Sequence, residues 1–175
     1  VTVLSALVWG HHMYVAGMSP LLGKSFMFLT LLISLPTSIF FLNWLGTMWK
    51  GSLRFDVPML FTMSVVFVFG LGGLTGLYMG VITSDMYLHD SMFLVGNFHY
   101  TLAASVLMGS YAATYYWFPK MFGRQMNPFW GKVHFWITFI ALNYVFFNML
   151  GVGYAGQHRR LFDPSAYDFI KPLMP

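Results

Sequence analysis

The sequence predicts an all-α protein, built as a polytopic bundle of transmembrane helices. Three observations carry this. Of 175 residues, 58% are hydrophobic and only 8% are charged, whereas a soluble domain carries about 25% charged residues. The nine Lys/Arg and five Asp leave uncharged stretches at 1–23, 25–49, 57–84, 91–119 and 133–158, and a spanning helix needs about 20 mostly apolar residues. Trp44, Trp49, Trp117 and Trp130 fall near the ends of these stretches, as in an aromatic belt. A soluble globular enzyme, a disordered tail and a nucleic-acid-binding domain are excluded, because the excess of four positive charges is scattered and forms no basic patch. With no cysteine, disulfides, iron–sulfur clusters and thiolate zinc sites are excluded as well.

Five spanning helices are expected, near 1–17, 25–48, 57–82, 92–118 and 130–154. The first block has no charged leader and no cleavage signal, so it does not read as a signal peptide. Trp49-Lys50-Gly51 closes the second block, and Pro58 opens the third at a first-turn position where no donor is needed. Pro36 lies inside the second helix, where a bundle tolerates a kink. The run Gly70-Leu71-Gly72-Gly73 permits close helix contact. Pro119 and Gly123 close the fourth block, and Asn127-Pro128 starts the fifth. The tail from Gln157 to Pro175 is polar. Residues 1–175 read as part of one transmembrane domain, truncated at both ends.

Alternating spans put Lys50, Arg54, Lys120, Arg124 and Lys132 on one side with Asp56. Lys24, Arg159, Arg160 and Lys171 fall on the other, with Asp85, Asp90, Asp163 and Asp168. Five Lys/Arg against four orients the bundle only weakly by the positive-inside rule. The mixed charges of the second side point to a site.

Ionisable residues within a membrane are functional candidates by default. His11 and His12 lie deep in the first block. Adjacent helical residues point about 100° apart, so two rings can share one metal only through a rotamer change or local unwinding. Imidazole suits copper, iron or zinc; the alternative is a polar pair hydrogen-bonded to neighbouring helices. His99 lies in the fourth block and is a candidate axial haem ligand, or a satisfied core histidine. His89-Asp90 stands at a membrane edge, where a His/carboxylate pair can hold Mg²⁺ or Mn²⁺. Asp90 can equally cap the following helix. Arg159-Arg160 can bind carboxylates bidentately or contact phospholipid headgroups. His134 and His158 carry no assignment.

Taken together, Val8-Trp9-Gly10-His11-His12-Met13, Gly72-Gly73-Leu74-Thr75-Gly76, Leu88-His89-Asp90, Asn97-Phe98-His99-Tyr100 and Arg159-Arg160 resemble subunit I of the haem–copper terminal oxidases. The resemblance covers essentially the whole chain and corresponds to the seventh to eleventh helices of that subunit. It implies that His11 and His12 are copper ligands in the oxygen-reducing centre. His99 matches an axial ligand of the low-spin haem, and Phe98 the aromatic residue between two haems. His89 and Asp90 match the region of a magnesium site. Arg159 and Arg160 match arginines that pair with haem propionates. The implied partners are oxidase subunit II and other oxidase subunits, the lipid bilayer, and cytochrome c or quinol as electron donor, in a prokaryotic plasma membrane or a mitochondrial inner membrane. No nucleic acid is implied.

Two positions depart from the family. The pattern is His-Phe-His-Tyr, and Asn97 stands where the high-spin haem ligand is expected. Residues two apart on a helix point about 200° apart, so His99 does not replace it. Four explanations follow: Asn97 ligates weakly or through water, the haem finds another ligand, the high-spin haem is lost, or a one-base difference separates the codon from His. Phe40 stands where many members carry a Lys that serves proton uptake, leaving Thr37, Ser38 and Asn43 as polar groups.

The resemblance therefore implies the catalytic segment of a respiratory oxidase that reduces oxygen to water with proton uptake. The alternative is a paralogue that keeps low-spin haem and copper but not oxygen reduction. Nitric oxide reductases fit less well, because they place carboxylates beside their non-haem iron and the chain has no Glu. A transporter with His in its pathway accounts for the spans but not for the ordered motifs.

Overall fold

The computed structural model describes residues 1–173. They form helices α1 (Thr2–Val8), α2 (Pro20–Met48), α3 (Val57–Met79), α4 (Ile82–Leu88), α5 (Met92–Phe98), α6 (Ser105–Phe122) and α7 (Pro128–Tyr154). A 3-10 turn, Trp9–Met13, extends α1, a π-helical turn, His99–Ala104, joins α5 to α6, and a 3-10 segment, Pro164–Leu173, follows α7. No strand occurs among the described residues; one isolated antiparallel bridge pairs Ser91 with His158.

Four helical stretches are long and apolar enough to cross a membrane: Pro20–Met48, Val57–Met79, Met92–Phe122 and Pro128–Tyr154. The expected first span, 1–17, is not one of them. Its helical residues are seven in α1 and five in the 3-10 turn. Absence of charge does not distinguish an apolar helix from one rich in small and polar residues, and this segment carries Ser5, Gly10, His11 and His12 before Gly17 turns the chain at φ 82. The polytopic all-α bundle holds, with four such stretches among the described residues.

Local chemistry sets the helix ends. Ser19 Oγ accepts from Leu22 N–H at 3.4 Å and Pro20 opens α2. Asn127 Oδ1 accepts from Phe129 N–H at 2.9 Å and Pro128 opens α7. Each side chain satisfies a donor the first turn leaves free. Gly123, at φ 66, closes α6 in the left-handed conformation that glycine adopts without a Cβ clash.

Helices α3, α5, α6 and α7 form the packed body. Val68, Leu88, Phe93, Tyr100, Ala104 and Leu150 make one buried cluster. Val57, Phe61, Met108, Ala112 and Phe135 make a second. α5 lies directly on α7: a Cβ on Gly153 would stand 1.8 Å from the Phe93 nitrogen, so only glycine permits this approach. α2 is apolar around its circumference and none of its most apolar window is buried within the chain, as befits a helix facing lipid or further helices. α2, α4, the end of α1, the start of α5 and the chain after α7 meet near His11, His12, His89, Asp90 and Arg159, while Asn97, Phe98 and His99 lie at the far end of α5.

Candidate functional site

The histidine pair is built by the 3-10 turn that ends α1. His11 Nδ1 lies 3.0 Å from Thr30 Oγ1 on α2. Thr30 has one hydroxyl proton, and it goes to the Phe26 carbonyl at 2.7 Å. Thr30 therefore accepts from His11 Nδ1–H, a tautomer assigned from the hydrogen-bond network. This leaves the His11 Nε2 lone pair presented outward. His12 Nε2–H donates to it across 2.9 Å, with the ring centroids 4.1 Å apart. Two imidazole nitrogens about 2.0–2.1 Å from one ion at a right angle are themselves about 2.9 Å apart. The pair thus fits a shared transition-metal ion, and Thr30 fixes the first ring as an outer-shell partner does.

Beside this pair, the loop after α4 meets the chain leaving α7. Met92 N–H donates to Gln157 O at 2.8 Å and Arg159 N–H to Asp90 O at 2.8 Å. The Arg159 guanidinium pairs with the Asp90 carboxylate. His89 lies between two carboxylates, 3.3 Å from Asp85 and 3.8 Å from Asp90. Asp85 is buried. Burial pushes its carboxyl above the usual range, and His89 opposes that shift. His12 lies within electrostatic reach of His89 and Arg159, which ties this cluster to the histidine pair.

Ser91, not Asp90, stands at the cap position of α5. Asp90 instead takes φ 55 and turns its carboxylate to Arg159. Among the described residues no group of three His or Asp side chains converges as a metal site. A divalent cation at Asp90 would also face the Arg159 guanidinium, so His89 and Asp90 do not fit a magnesium site on their own. Arg159 Nε is buried without a partner, which fits a donor awaiting an acidic group such as a propionate. Arg160, at φ 63, is exposed.

Asn97, Phe98 and His99 end α5. His99 Nδ1–H donates to Val95 O at 2.7 Å, leaving Nε2 as the ligating nitrogen, and its ring lies 4.8 Å from that of Phe146 on α7. This fits an axial haem ligand held in one tautomer. Phe98 is exposed beside it. The π turn begins here, a distortion frequent at functional sites, and Ser105 Oγ–H donates to Tyr100 O at 3.0 Å within the widened turn. Asn97 faces α3 instead. Its amide donates to Gly72 O at 2.7 Å and to Thr75 Oγ1 at 2.8 Å. Gly72 lets the chains meet: a Cβ there would stand 2.9 Å from the Thr101 nitrogen.

A cavity of about 450 Å³ lies between α2 and α3, lined among others by Thr30, Ser34, Thr37, Gly73, Gly76 and Gly80. Thr30 is the residue that holds His11. Gly76 backs onto Asn97, whose nitrogen would lie 3.4 Å from a Cβ placed there. The cavity thus shares Thr30 with the histidine pair and Gly76 with the Asn97 contact, while the histidines and Asn97 do not line it. Phe40 is exposed on α2 and does not line it.

Sequence reasoning counted Asp85 only as a charge. Its spacing of four from His89 on one helix was the signal, since such residues are neighbours on a helix face. Thr30, Thr75 and Gln157 carried no local signal, because their partners are remote in sequence.

A family model described as cytochrome C and quinol oxidase polypeptide I matches residues 1–174. The chain is 43% identical over 169 residues to alternative cytochrome c oxidase subunit 1 of Bradyrhizobium diazoefficiens, covering 97% of this chain and 29% of that protein. It is 45% identical over 161 residues to cytochrome c oxidase subunit 1 of Corynebacterium diphtheriae, covering 92% and 28%. It is 39% identical over 175 residues to the Cereibacter sphaeroides protein of that name, covering 98% and 31%. The chain thus spans less than a third of the length of these relatives.

Proposed function

The chain belongs to the family of cytochrome c and quinol oxidase polypeptide I, and on that footing we propose that it is the ligand-bearing segment of a respiratory terminal oxidase that reduces oxygen to water with proton uptake. The observation that carries this is the convergence of His11 Nε2 and His12 Nε2, 2.9 Å apart, with His11 held by Thr30.

Copper bound at this pair would supply one-electron redox chemistry. The residues do the rest. Thr30 accepts the His11 Nδ1 proton and so holds Nε2 unprotonated. Val95 O does the same for His99, whose Nε2 would ligate the low-spin haem, with Phe146 against the His99 ring and Phe98 beside it. Arg159 Nε, left without a partner, would donate to a haem propionate, with Asp90 keeping the Arg159 fork in place, and Arg160, the second arginine of the pair, would take its part from an exposed position. Ser34, Thr37 and Ser38 border the cavity on the α2 face that also carries Thr30, and offer hydroxyls for proton passage where Phe40 offers none. Oxidase subunit II and other oxidase subunits are the partners, the electron donor is cytochrome c or quinol, and the site is a prokaryotic plasma membrane or a mitochondrial inner membrane. We assign no magnesium to His89 and Asp90, and no iron ligand to Asn97.

Asn97 favours a second reading, a paralogue that keeps copper and low-spin haem without oxygen reduction. A carbon monoxide difference spectrum of the reduced full-length complex tests between them, because carbon monoxide needs a ferrous haem with an open position. A signal at one site per complex supports the oxidase. No signal, with the low-spin haem still visible, leaves the paralogue.

A further inference from the structure

Tyr100, the residue beside His99, is fully buried and held at both ends. Its carbonyl accepts from Ser105 Oγ–H at 3.0 Å, inside the π turn. Its hydroxyl lies 3.2 Å from Asn143 Oδ1 and 3.4 Å from Asn143 O, on α7. The Asn143 amide is oriented by its other half, because Nδ2 donates to the Phe139 carbonyl at 2.8 Å and a carbonyl only accepts. Oδ1 is therefore the side-chain atom turned to Tyr100, and the phenol is the donor. Packing alone does not call for this hydroxyl. A phenylalanine would fill the same space among Val68, Leu88, Phe93, Ala104 and Leu150 with no buried polar group to satisfy. What the hydroxyl adds is direction, since a hydrogen bond constrains angle and apolar contact does not.

Asn143 and Phe146 stand three apart on α7 and so share a face. The Phe146 ring lies 5.8 Å from that of Tyr100 and 4.8 Å from that of His99. α7 thus holds Tyr100 by its hydroxyl and its ring, and meets His99 through the same phenylalanine. The His99 bond to Val95 O fixes the imidazole on its own helix, but Val95 turns with that helix. A bearing relative to the rest of the bundle needs a contact from another element. We infer that Asn143 is a positioning residue for His99: by taking the Tyr100 hydroxyl proton it sets the bearing of the π turn against α7, and with it the plane of the ring that His99 offers to the low-spin haem. The role rests on the terminal-oxidase reading, which makes His99 an axial ligand. Tyr100 and Asn143 act only through the ring beside them.

The test uses the full-length complex as wild type, Tyr100→Phe, Asn143→Leu and the double variant. Electron paramagnetic resonance of the ferric low-spin haem reads the orientation of its axial ligand planes through the g values, and a thermal melt reads packing. Each single variant is expected to shift the largest g value in the same direction, and the double variant to shift it no further than the larger single does. Unchanged g values in both single variants overturn the inference and leave the oxidase reading intact; a lowered melt beside them marks the contact as merely structural. Additive shifts, or a shift in Asn143→Leu without one in Tyr100→Phe, also overturn it, because Asn143 would then not act through Tyr100. A wild-type complex with no low-spin haem signal sinks the oxidase reading and the inference with it. Should Asn143→Leu fail to assemble, Tyr100→Phe decides alone: a shifted g value supports the inference and an unshifted one overturns it.

Discussion

Replacing Thr30 by valine removes an acceptor and almost nothing else. Valine keeps the branched shape, and the Phe26 carbonyl keeps its ordinary helical partner. His11 Nδ1–H then loses its 3.0 Å bond, and the ring is free to rotate or to move its proton to Nε2, the atom that faces His12. Leaving a half-buried donor unpaired costs about 1–3 kcal/mol, which corresponds to about 5–150-fold in a binding constant. Outer-shell partners of metal-bound histidines carry a similar weight. Copper affinity of the full-length complex, measured by competition with a chromophoric chelator, is expected to fall by that factor in Thr30→Val and to stay near wild type in Thr30→Ser. Unchanged affinity in Thr30→Val, or an equal loss in both variants, would refute the tautomer argument.

Gly153→Ala is expected to destabilise the complex by about 3 kcal/mol or more, read as lost assembly or a lowered thermal transition, because its Cβ would meet the Phe93 nitrogen at 1.8 Å. Thr75→Val removes one partner of Asn97 and should cost about 1 kcal/mol in thermal stability; no change would argue against that bond. Arg159→Ala should loosen the chain after α7 from the 89–92 loop and speed its proteolysis, while the ion pair itself, half-exposed at Asp90, contributes no more than about 1 kcal/mol. Asp85 should titrate above an ordinary aspartate because burial disfavours its charge, and higher still in His89→Ala because His89 opposes that shift. The carboxyl infrared band, assigned with Asp85→Asn, would show this, and a downward move in His89→Ala would reverse the assigned causes.

The spans were legible because charge is so costly in hydrocarbon that Lys50, Arg54, Asp56, Lys120, Arg124 and Lys132 could only fall between them. Caps at Asn127-Pro128 and Gly123 were legible because they are local. The first block is uncharged without being uniformly apolar, and its helical part is α1 with the 3-10 turn that carries the histidines. Facing was not legible in α2, α3 or α7, because a helix apolar all round carries no sign of which side meets a neighbour. The partners Asn97–Gly72 and Asp90–Arg159 stand 25 and 69 residues apart in sequence, and only tertiary packing joins them. Arg159 and Arg160 read as one motif, yet the left-handed turn at Arg160 separates their directions.

The π turn at His99–Ala104 has a consequence for how this helix tolerates change. A wide turn holds one residue more than an α turn, so everything after it stands about 100° behind the phase an unbroken α-helix of the same sequence would give. The half carrying Asn97 and His99 and the half carrying Met108 and Ala112 are therefore registered independently, like two dials on one shaft. Substitutions on one half leave the bearing of the other untouched. Deleting a single residue between Tyr100 and Ala104 would restore an ordinary helix and leave Met108 and Ala112 facing Phe61, because the residue removed is the one the wide turn absorbs. On this helix the wide turn is the place where the chain can lose a residue without losing its packing.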